Sequence, residues 1–296
     1  MLRIKVIILL SLIISASLYA QETFIKYNEP FLKSLGNDSE INDILEESTF
    51  KERFIFLNEN TSLPIDYNEL TYIYVKKYLS YKWYGKVIGL SAYYFPLFEK
   101  KLAQYGMPLE LKYLAVVESA LNPRAGSQAG AKGLWQFMPL TGSEYGIRQN
   151  KYVNIFYDPV ANTDAAVRYL KDLYLQFRDW NLAISAYNCG AGNVRKAIKK
   201  AGSTNYWKVR PFLPKETQAY VPSFIAVNYL FNFYKYHNIK PSYFRYSFHD
   251  MHVIKVNETT TLEALGKSYN YDLLKFANPQ FLTSLVPKGS IVYVKK

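Results

Sequence analysis

Residues 111–123 read LKYLAVVESALNP. Apolar residues occupy one face of a helix at Leu111, Leu114 and Ala115, and the i+7 position on that face is Glu118. Burying a carboxylate is costly, so its pKa is expected to rise. The segment therefore predicts either a general acid or an ordinary Glu, held in a buried ion pair or at a frayed helix end.

The end of this helix is also predicted by the sequence. Asn122 precedes Pro123, and proline disfavours the α conformation of the residue before it. We therefore expect the helix to end just past Glu118, which would place the acid at the start of a loop.

The predicted loop is rich in small residues from Ala125 to Gly133, which would let a ligand approach the backbone closely. Trp135 and Phe137 follow it and flank Gln136. These side chains would offer a stacking face beside an amide, or would form an ordinary core aromatic cluster behind a Gly-rich connection.

Four motifs occur in an order that resembles the soluble lytic transglycosylase (SLT) domain, which has a lysozyme-like fold. They are Glu118-Ser-x-x-Asn-Pro123, GAKGLWQFMP at 130–139, AYNCG at 186–190 and ETQAYVP at 216–222. The Gly-Leu-Trp-Gln form is most similar to the membrane-bound lytic murein transglycosylase D type. The resemblance covers roughly residues 90 to 235 and implies a mainly α-helical protein with a goose-type, lysozyme-like catalytic domain.

The resemblance implies a peptidoglycan lytic transglycosylase with one catalytic acid. Glycosidases generally use two carboxylates, but Glu110, Asp158 and Asp164 do not stand in a comparable motif. One acid suffices if the C6 hydroxyl of N-acetylmuramic acid (MurNAc) is the nucleophile. Glu118 would then act as general acid and afterwards as base, leaving 1,6-anhydro ends.

The remaining site residues are carried over from the family motifs. Ser127 and Gln136 are expected to hydrogen-bond the substrate. Tyr187 and Asn188 are expected to line the cleft near the oxocarbenium-like centre, and Tyr220 to orient Glu118. The resemblance implies no metal and no cofactor.

Two other functions stay open. A goose-type lysozyme-like hydrolase would use water and need a well-placed Asp facing Glu118. A non-catalytic peptidoglycan-binding or scaffolding protein would not need Glu118, which is present.

The C-terminal residues 251–296 predict a small β-α-α-β module. Alternating residues from His252 suggest a strand, two short helices follow, and residues 288–294 suggest a closing strand. This order resembles a LysM module, which binds the peptidoglycan glycan backbone. Asn257 to Leu262 departs from the usual Gly-Asp-Thr-Leu pattern, so a degenerate module that only packs against the catalytic domain is the alternative.

The other boundaries follow from composition. Residues 1–20 have a basic start, an apolar run and a small residue at Ala20, as expected of a signal peptide; a retained anchor is the alternative. We expect export to the periplasm or cell envelope, with no membrane span in the mature chain. Residues 21–87 predict a helical lead-in, 88–236 the catalytic domain and 237–250 a linker.

The net charge of the chain and its single cysteine indicate which partners and which kind of catalysis to expect. The chain has a formal net charge of +12, which suits an anionic polymer. Export argues against nucleic acid, so peptidoglycan strands are the expected partner, and protein partners stay unknown. Cys189 is the single cysteine and is expected to pack rather than act as a nucleophile.

Overall fold

The computed structural model describes residues 46–295. The predicted signal peptide and the first part of the predicted lead-in lie outside the described residues. The described part is mostly helical, as predicted, with helices α1 Glu47–Asn60, α2 Glu69–Leu79, α3 Tyr84–Gln104, α4 Tyr113–Ser119, α5 Pro139–Glu144, α6 Pro159–Phe177, α7 Trp180–Cys189, α8 Ala191–Ala201, α9 Tyr206–Val209, α10 Lys215–Phe233, α11 Leu262–Gly266 and α12 Tyr271–Ala277. The strands are β1 His252–Lys255, β2 Thr260–Thr261, β3 Leu285–Val286 and β4 Ile291–Val294.

Gly106 and Pro108 separate helix α3 from the next helical turn. Helix α3 ends at Gln104, and Gly106 follows with a φ of 66°. Pro108 then precedes a 3-10 turn, Leu109–Lys112. Proline suits such starts because its φ is already close to the helical value.

The chain forms two compact units, and each combines two distant stretches. The first unit contains the described residues up to Tyr84 together with Tyr169–Lys240. The second contains Gly85–Arg168 and the residues from Pro241 onward.

In the first unit, helix α2 packs along α10, and α1 is joined to the same region through Arg53. The Arg53 guanidinium donates to the Tyr229 hydroxyl at 2.9 Å and lies 3.0 Å from Nε2 of His237. Burial and the Arg53 charge lower the pKa of His237 to about 4, so this ring is neutral at pH 7.

The C-terminal part of the second unit has the predicted β-α-α-β order. Strands β1 and β4 pair antiparallel, and β2 pairs with β3. Side chains of strands β3 and β4, of both helices and of the connecting segments share a small core: Val256, Leu262, Leu274, Phe281, Val286, Val292 and Val294. Its identity as a LysM module stays a prediction.

This C-terminal module is built into the second unit. The Tyr293 hydroxyl donates to the buried Asp158 carboxylate at 2.8 Å, and the Phe276 ring packs edge-on against Tyr93 of α3. Within the predicted linker, the Ser242 amide donates to the Gly85 carbonyl and the Phe244 amide to that of Gly89. The boundary between the two units also falls within this segment, after Lys240.

Asp158 and Asp164, both on or next to α6, are predicted to show opposite pH dependence. Burial raises the pKa of Asp158, although bonds from Ala161, Tyr293 and Val160 partly offset it. Asp158 therefore favours the folded state in its protonated form, and stability is lost as pH rises through its folded pKa. An Asn side chain can accept the same hydrogen bonds, so Asp158→Asn should gain stability relative to wild type as pH rises above the ordinary Asp pKa of 3.8.

Asp164→Asn is the matched control. Partial burial opposes ionisation there, but Lys101, Arg168 and Tyr105 together lower the pKa of Asp164. Its contribution to stability is present above the unfolded pKa and lost as pH falls, so this variant should weaken relative to wild type as pH rises. Urea unfolding at several pH values measures both differences, and equal slopes would contradict the prediction.

Candidate functional site

Glu118 lies one residue before the end of helix α4, as predicted. Leu111, Leu114 and Ala115 are fully buried, whereas Glu118 is half-buried. The apolar face therefore anchors the helix in the core, while Glu118 keeps part of its surface exposed.

The turn after Glu118 has an unusual backbone. Ala120 and Leu121 adopt left-handed conformations, with φ of 50° and 63°. Each costs a residue with a Cβ roughly 1–2 kcal/mol. The Ala120 amide bonds to the Val116 carbonyl and the Asn122 amide to that of Ser119. Sequence reasoning predicted the end of the helix from Pro123 but missed this turn, because neither alanine nor leucine signals it.

Ser119 joins the end of α4 to the small-residue loop. Its hydroxyl is completely buried and lies 3.0 Å from the Ala115 carbonyl and 2.8 Å from the Leu134 carbonyl. Sequence reasoning gave Ser119 no role, although it directly follows the acid in the motif.

The loop from Ala125 to Phe137 is closed by its own backbone. Lys132 and Phe137 exchange amide-to-carbonyl hydrogen bonds at 3.0 Å, and the Gly133 amide donates to the Ala125 carbonyl at 2.9 Å. The loop is therefore a fixed scaffold beside the Glu118 helix.

Trp135 and Phe137 do not provide a stacking face for a ligand. Trp135 is 0% exposed and Phe137 is 3% exposed. The Trp135 indole donates to the Thr163 hydroxyl at 3.0 Å, and its backbone amide donates to the Asn162 side chain at 3.0 Å. The first interpretation of these aromatics is thus wrong, and they belong to the core, where each buried N–H needs a partner.

Ser127 and Gln136 are half-buried in this loop. The Ser127 hydroxyl oxygen accepts from the Ala131 amide, which leaves its proton for another acceptor. The Gln136 amide nitrogen donates to the Ala125 and Gly133 carbonyls at 3.1 and 2.8 Å. Both amide protons are therefore used by the loop, and Oε1 is the atom that can accept from a sugar hydroxyl. Their substrate contacts stay predictions.

The other three predicted residues belong to the first unit. Tyr187 and Asn188 lie near the end of α7, and Tyr220 is buried on α10, which packs against α7. Asn188 Oδ1 accepts from the Thr217 hydroxyl at 2.7 Å, and the ring centroids of Tyr187 and Tyr169 are 5.3 Å apart. The second unit thus groups Glu118, Ser127 and Gln136, and the first groups these three.

Cys189 follows Asn188 and is half-buried. Burial raises the pKa of the Cys189 thiol, even though bonds from Thr217 and its own backbone act in the opposite direction. The thiol is therefore neutral near pH 7, which supports the packing role and weakens the case for a nucleophile.

Within residues 46–295 the structure contains neither a metal-binding cluster nor a membrane-spanning helix. No three or more His, Cys, Asp or Glu side chains are grouped so that they could hold a metal ion. No helix in this range combines the length and apolar character needed to cross a membrane.

Residues 96–210 match the Transglycosylase SLT domain. Membrane-bound lytic murein transglycosylase D of Escherichia coli (strain K12) is 37% identical over 179 residues, which cover 58% of this chain and 39% of that protein. Membrane-bound lytic murein transglycosylase C of Haemophilus influenzae (strain PittGG) is 34% identical over 155 residues, covering 46% of this chain and 43% of that protein.

The soluble 70 kDa lytic transglycosylase SLT70 of Escherichia coli is similar in structure, with a TM-score of 0.42 and 27% identity over 48% of this chain and 24% of that one. The matched part spans about two fifths of each curated relative. All predicted site residues except Tyr220 lie inside the matched domain.

The scaffold role of the loop predicts different effects for Ala at Gly133 and Gly130. Both glycines have positive φ, 86° and 91°. A Cβ at Gly133 would lie 2.0 Å from the Phe156 carbonyl oxygen, whereas at Gly130 nothing lies within 4 Å. Gly130→Ala should lower the free energy of unfolding by about 1–2 kcal/mol. Gly133→Ala should lower it by a further 1–3 kcal/mol or so, because of the clash.

Urea unfolding measures this pair directly. Equal losses in the two variants would show that the close approach of Gly133 to Phe156 does not constrain the loop.

Proposed function

We propose that this chain, whose residues 96–210 match the Transglycosylase SLT domain, is a lytic transglycosylase that cleaves the MurNAc-β-1,4-GlcNAc bond of peptidoglycan and leaves 1,6-anhydroMurNAc ends. The observation that carries the proposal is the position of Glu118. It is a half-buried acid at the end of a core helix, next to a loop held by buried hydrogen bonds.

The reaction needs one proton donor that later accepts a proton. Protonated Glu118 gives its proton to the glycosidic oxygen as the bond to C1 of MurNAc breaks. The C6 hydroxyl of the same sugar then attacks C1, and its proton passes to the Glu118 carboxylate. This regenerates the acid, and no water is consumed.

Two other carboxylates of the second unit, Asp158 and Asp164, are bonded to structural partners, which supports a mechanism with one acid. Asp158 is 5% exposed and is bonded to Tyr293 and to the first amides of α6. Asp164 is paired with Lys101 and Arg168 at 2.8 and 3.0 Å. Both carboxylates thus have structural partners, so neither is a good candidate for the base that a hydrolase would need.

The substrate contacts follow from the atoms left for a ligand. Gln136 accepts a sugar hydroxyl through Oε1, and Ser127 donates its hydroxyl proton. Substrate-binding roles are also proposed for Tyr187, Asn188 and Tyr220 of the first unit. These roles rest on the family motifs, and five of these six site residues lie in the matched domain.

The cellular setting is part of the same proposal. Residues 81–296 carry 28 Lys and Arg against 13 Asp and Glu, a balance that favours the carboxylate-bearing peptidoglycan polymer. We place the protein in the periplasm or cell envelope after removal of residues 1–20.

Glu118→Gln should abolish release of muropeptides from purified sacculi. The amide keeps the size of the side chain but cannot give or take a proton, and losing a positioned general acid costs roughly 10²–10⁴-fold in rate. Glu110→Gln is the matched control, because it removes a carboxylate two helical turns earlier and should leave the rate unchanged. Mass spectrometry of the wild-type products should show anhydro ends, which are lighter by one water than hydrolysis products.

Reducing muramyl ends would identify a hydrolase and require a second catalytic carboxylate. Full activity of Glu118→Gln would reject the assignment of the acid, and no release by wild type would favour a binding protein.

A further inference from the structure

We infer that Arg124 is a positioning residue that braces the turn after Glu118 against the C-terminal module. The inference rests on the proposed function and adds to it a role for the module in the chemical step. The juxtaposition that carries it lies wholly within the second unit: Arg124 and the backbone of residues 279–281.

The Arg124 guanidinium donates hydrogen bonds to two carbonyls of residues 279–281. Nε donates to the Pro279 carbonyl at 2.9 Å, and Nη2 donates to the Phe281 carbonyl at 2.8 Å. A guanidinium presents its donors in a rigid planar fork, so two bonds to two carbonyls fix direction as well as distance. The contact joins positions more than 150 residues apart in sequence.

Residues 278–282, which include the two carbonyls, are held in place by further hydrogen bonds. The Asn278 side chain donates to the Leu274 and Tyr293 carbonyls and accepts from the Tyr293 amide, all at 2.7–2.8 Å. On its other side, the Asn154 amide donates to the Gln280 carbonyl at 2.8 Å and the Leu282 amide to the Tyr152 carbonyl at 2.9 Å. Arg124 is therefore fastened to a rigid part of the module.

The turn on the other side of Arg124 needs such support. Ala120 and Leu121 are left-handed without being glycine, and strained residues persist only where their surroundings hold them. Ser119 holds the start of the turn through Leu134. Arg124 holds its far end, where the Asn122 side chain also accepts from the Arg124 amide at 3.0 Å. Glu118 directly precedes this turn, so relaxation of the turn would shift the acid.

The chemistry of Arg124 favours a brace over a substrate contact. Its guanidinium is directed to two backbone carbonyls of the same unit. Since the residue itself is exposed, its replacement leaves no cavity in the core. The effect of a substitution should therefore come from loss of the brace.

Arg124→Met tests the inference, with Arg124→Lys as the conservative variant. Methionine keeps an extended side chain but cannot donate, and the lysine ammonium can reach one of the two carbonyls at a time. We expect kcat on a short soluble muropeptide dimer to fall roughly 10- to 100-fold in Arg124→Met, as for a modestly misplaced acid. KM should stay unchanged, and Arg124→Lys should restore part of kcat.

Arg148→Met is the matched control, since it removes an equally exposed arginine of the same unit. It controls for the effect that losing one positive charge has on the binding of an anionic substrate. All assays are run well below the unfolding temperature of each variant, and binding to sacculi is measured in parallel by pelleting.

Unchanged kcat in Arg124→Met, with a lower unfolding temperature, would reduce Arg124 to a structural contact and overturn the inference. A higher KM with unchanged kcat would also overturn it, because it would assign the module to substrate retention. These outcomes differ from failure of the proposed function, in which wild-type protein would release no anhydro-muropeptides.

Discussion

Burial of Trp135 is the constraint on which the second unit depends. The indole is fully enclosed, and both N–H groups of this residue must find acceptors away from water. Asn162 and Thr163 of α6 supply them, while Phe98 of α3 packs edge-on against the ring at 5.2 Å between centroids. One residue of the loop thereby fixes the loop against two long helices. The neighbouring Leu134 carbonyl is then in place to meet the Ser119 hydroxyl, which locates the end of the Glu118 helix.

The carboxylates of the second unit lie in different electrostatic environments, which shift the pKa values of Asp158 and Asp164 in opposite directions. Asp158 is deeply buried beside Tyr293, and its pKa is raised mainly by that burial. Asp164 is partly exposed between two cations, which lower its pKa. Glu118 differs from both because it lies at the edge of the core, just before the left-handed turn at Ala120 and Leu121. Such a position suits the proton-donor role proposed for Glu118, because a general acid must be held in place and still reach a substrate.

The sequence predicted those features whose signals are local. Helical periodicity and Pro123 were enough to predict the end of the Glu118 helix, and the motif order was enough to predict the match of residues 96–210 to the Transglycosylase SLT domain. The left-handed turn at Ala120 and Leu121 could not be predicted, because those residues prefer other conformations and the turn is imposed by contacts. The exposure of Trp135 could not be predicted either, since its partners Asn162 and Thr163 are 27 and 28 residues away. The brace at Arg124 depends on a hydrogen bond to the Pro279 carbonyl, more than 150 residues away, and a pattern of residues along the chain does not reveal such a contact.

The bond between Tyr293 and Asp158 has a consequence for how the protein is made. A chain emerges from the ribosome from its N-terminus, and here Asp158 is available long before Tyr293. Until the later stretch is synthesised, the stretch that bears Glu118 lacks strand β4 and the acceptors for Arg124. Contacts between such distant positions form late, because a long loop must close first. Assembly of the Glu118 region is therefore expected to be completed only after the chain has been made through β4.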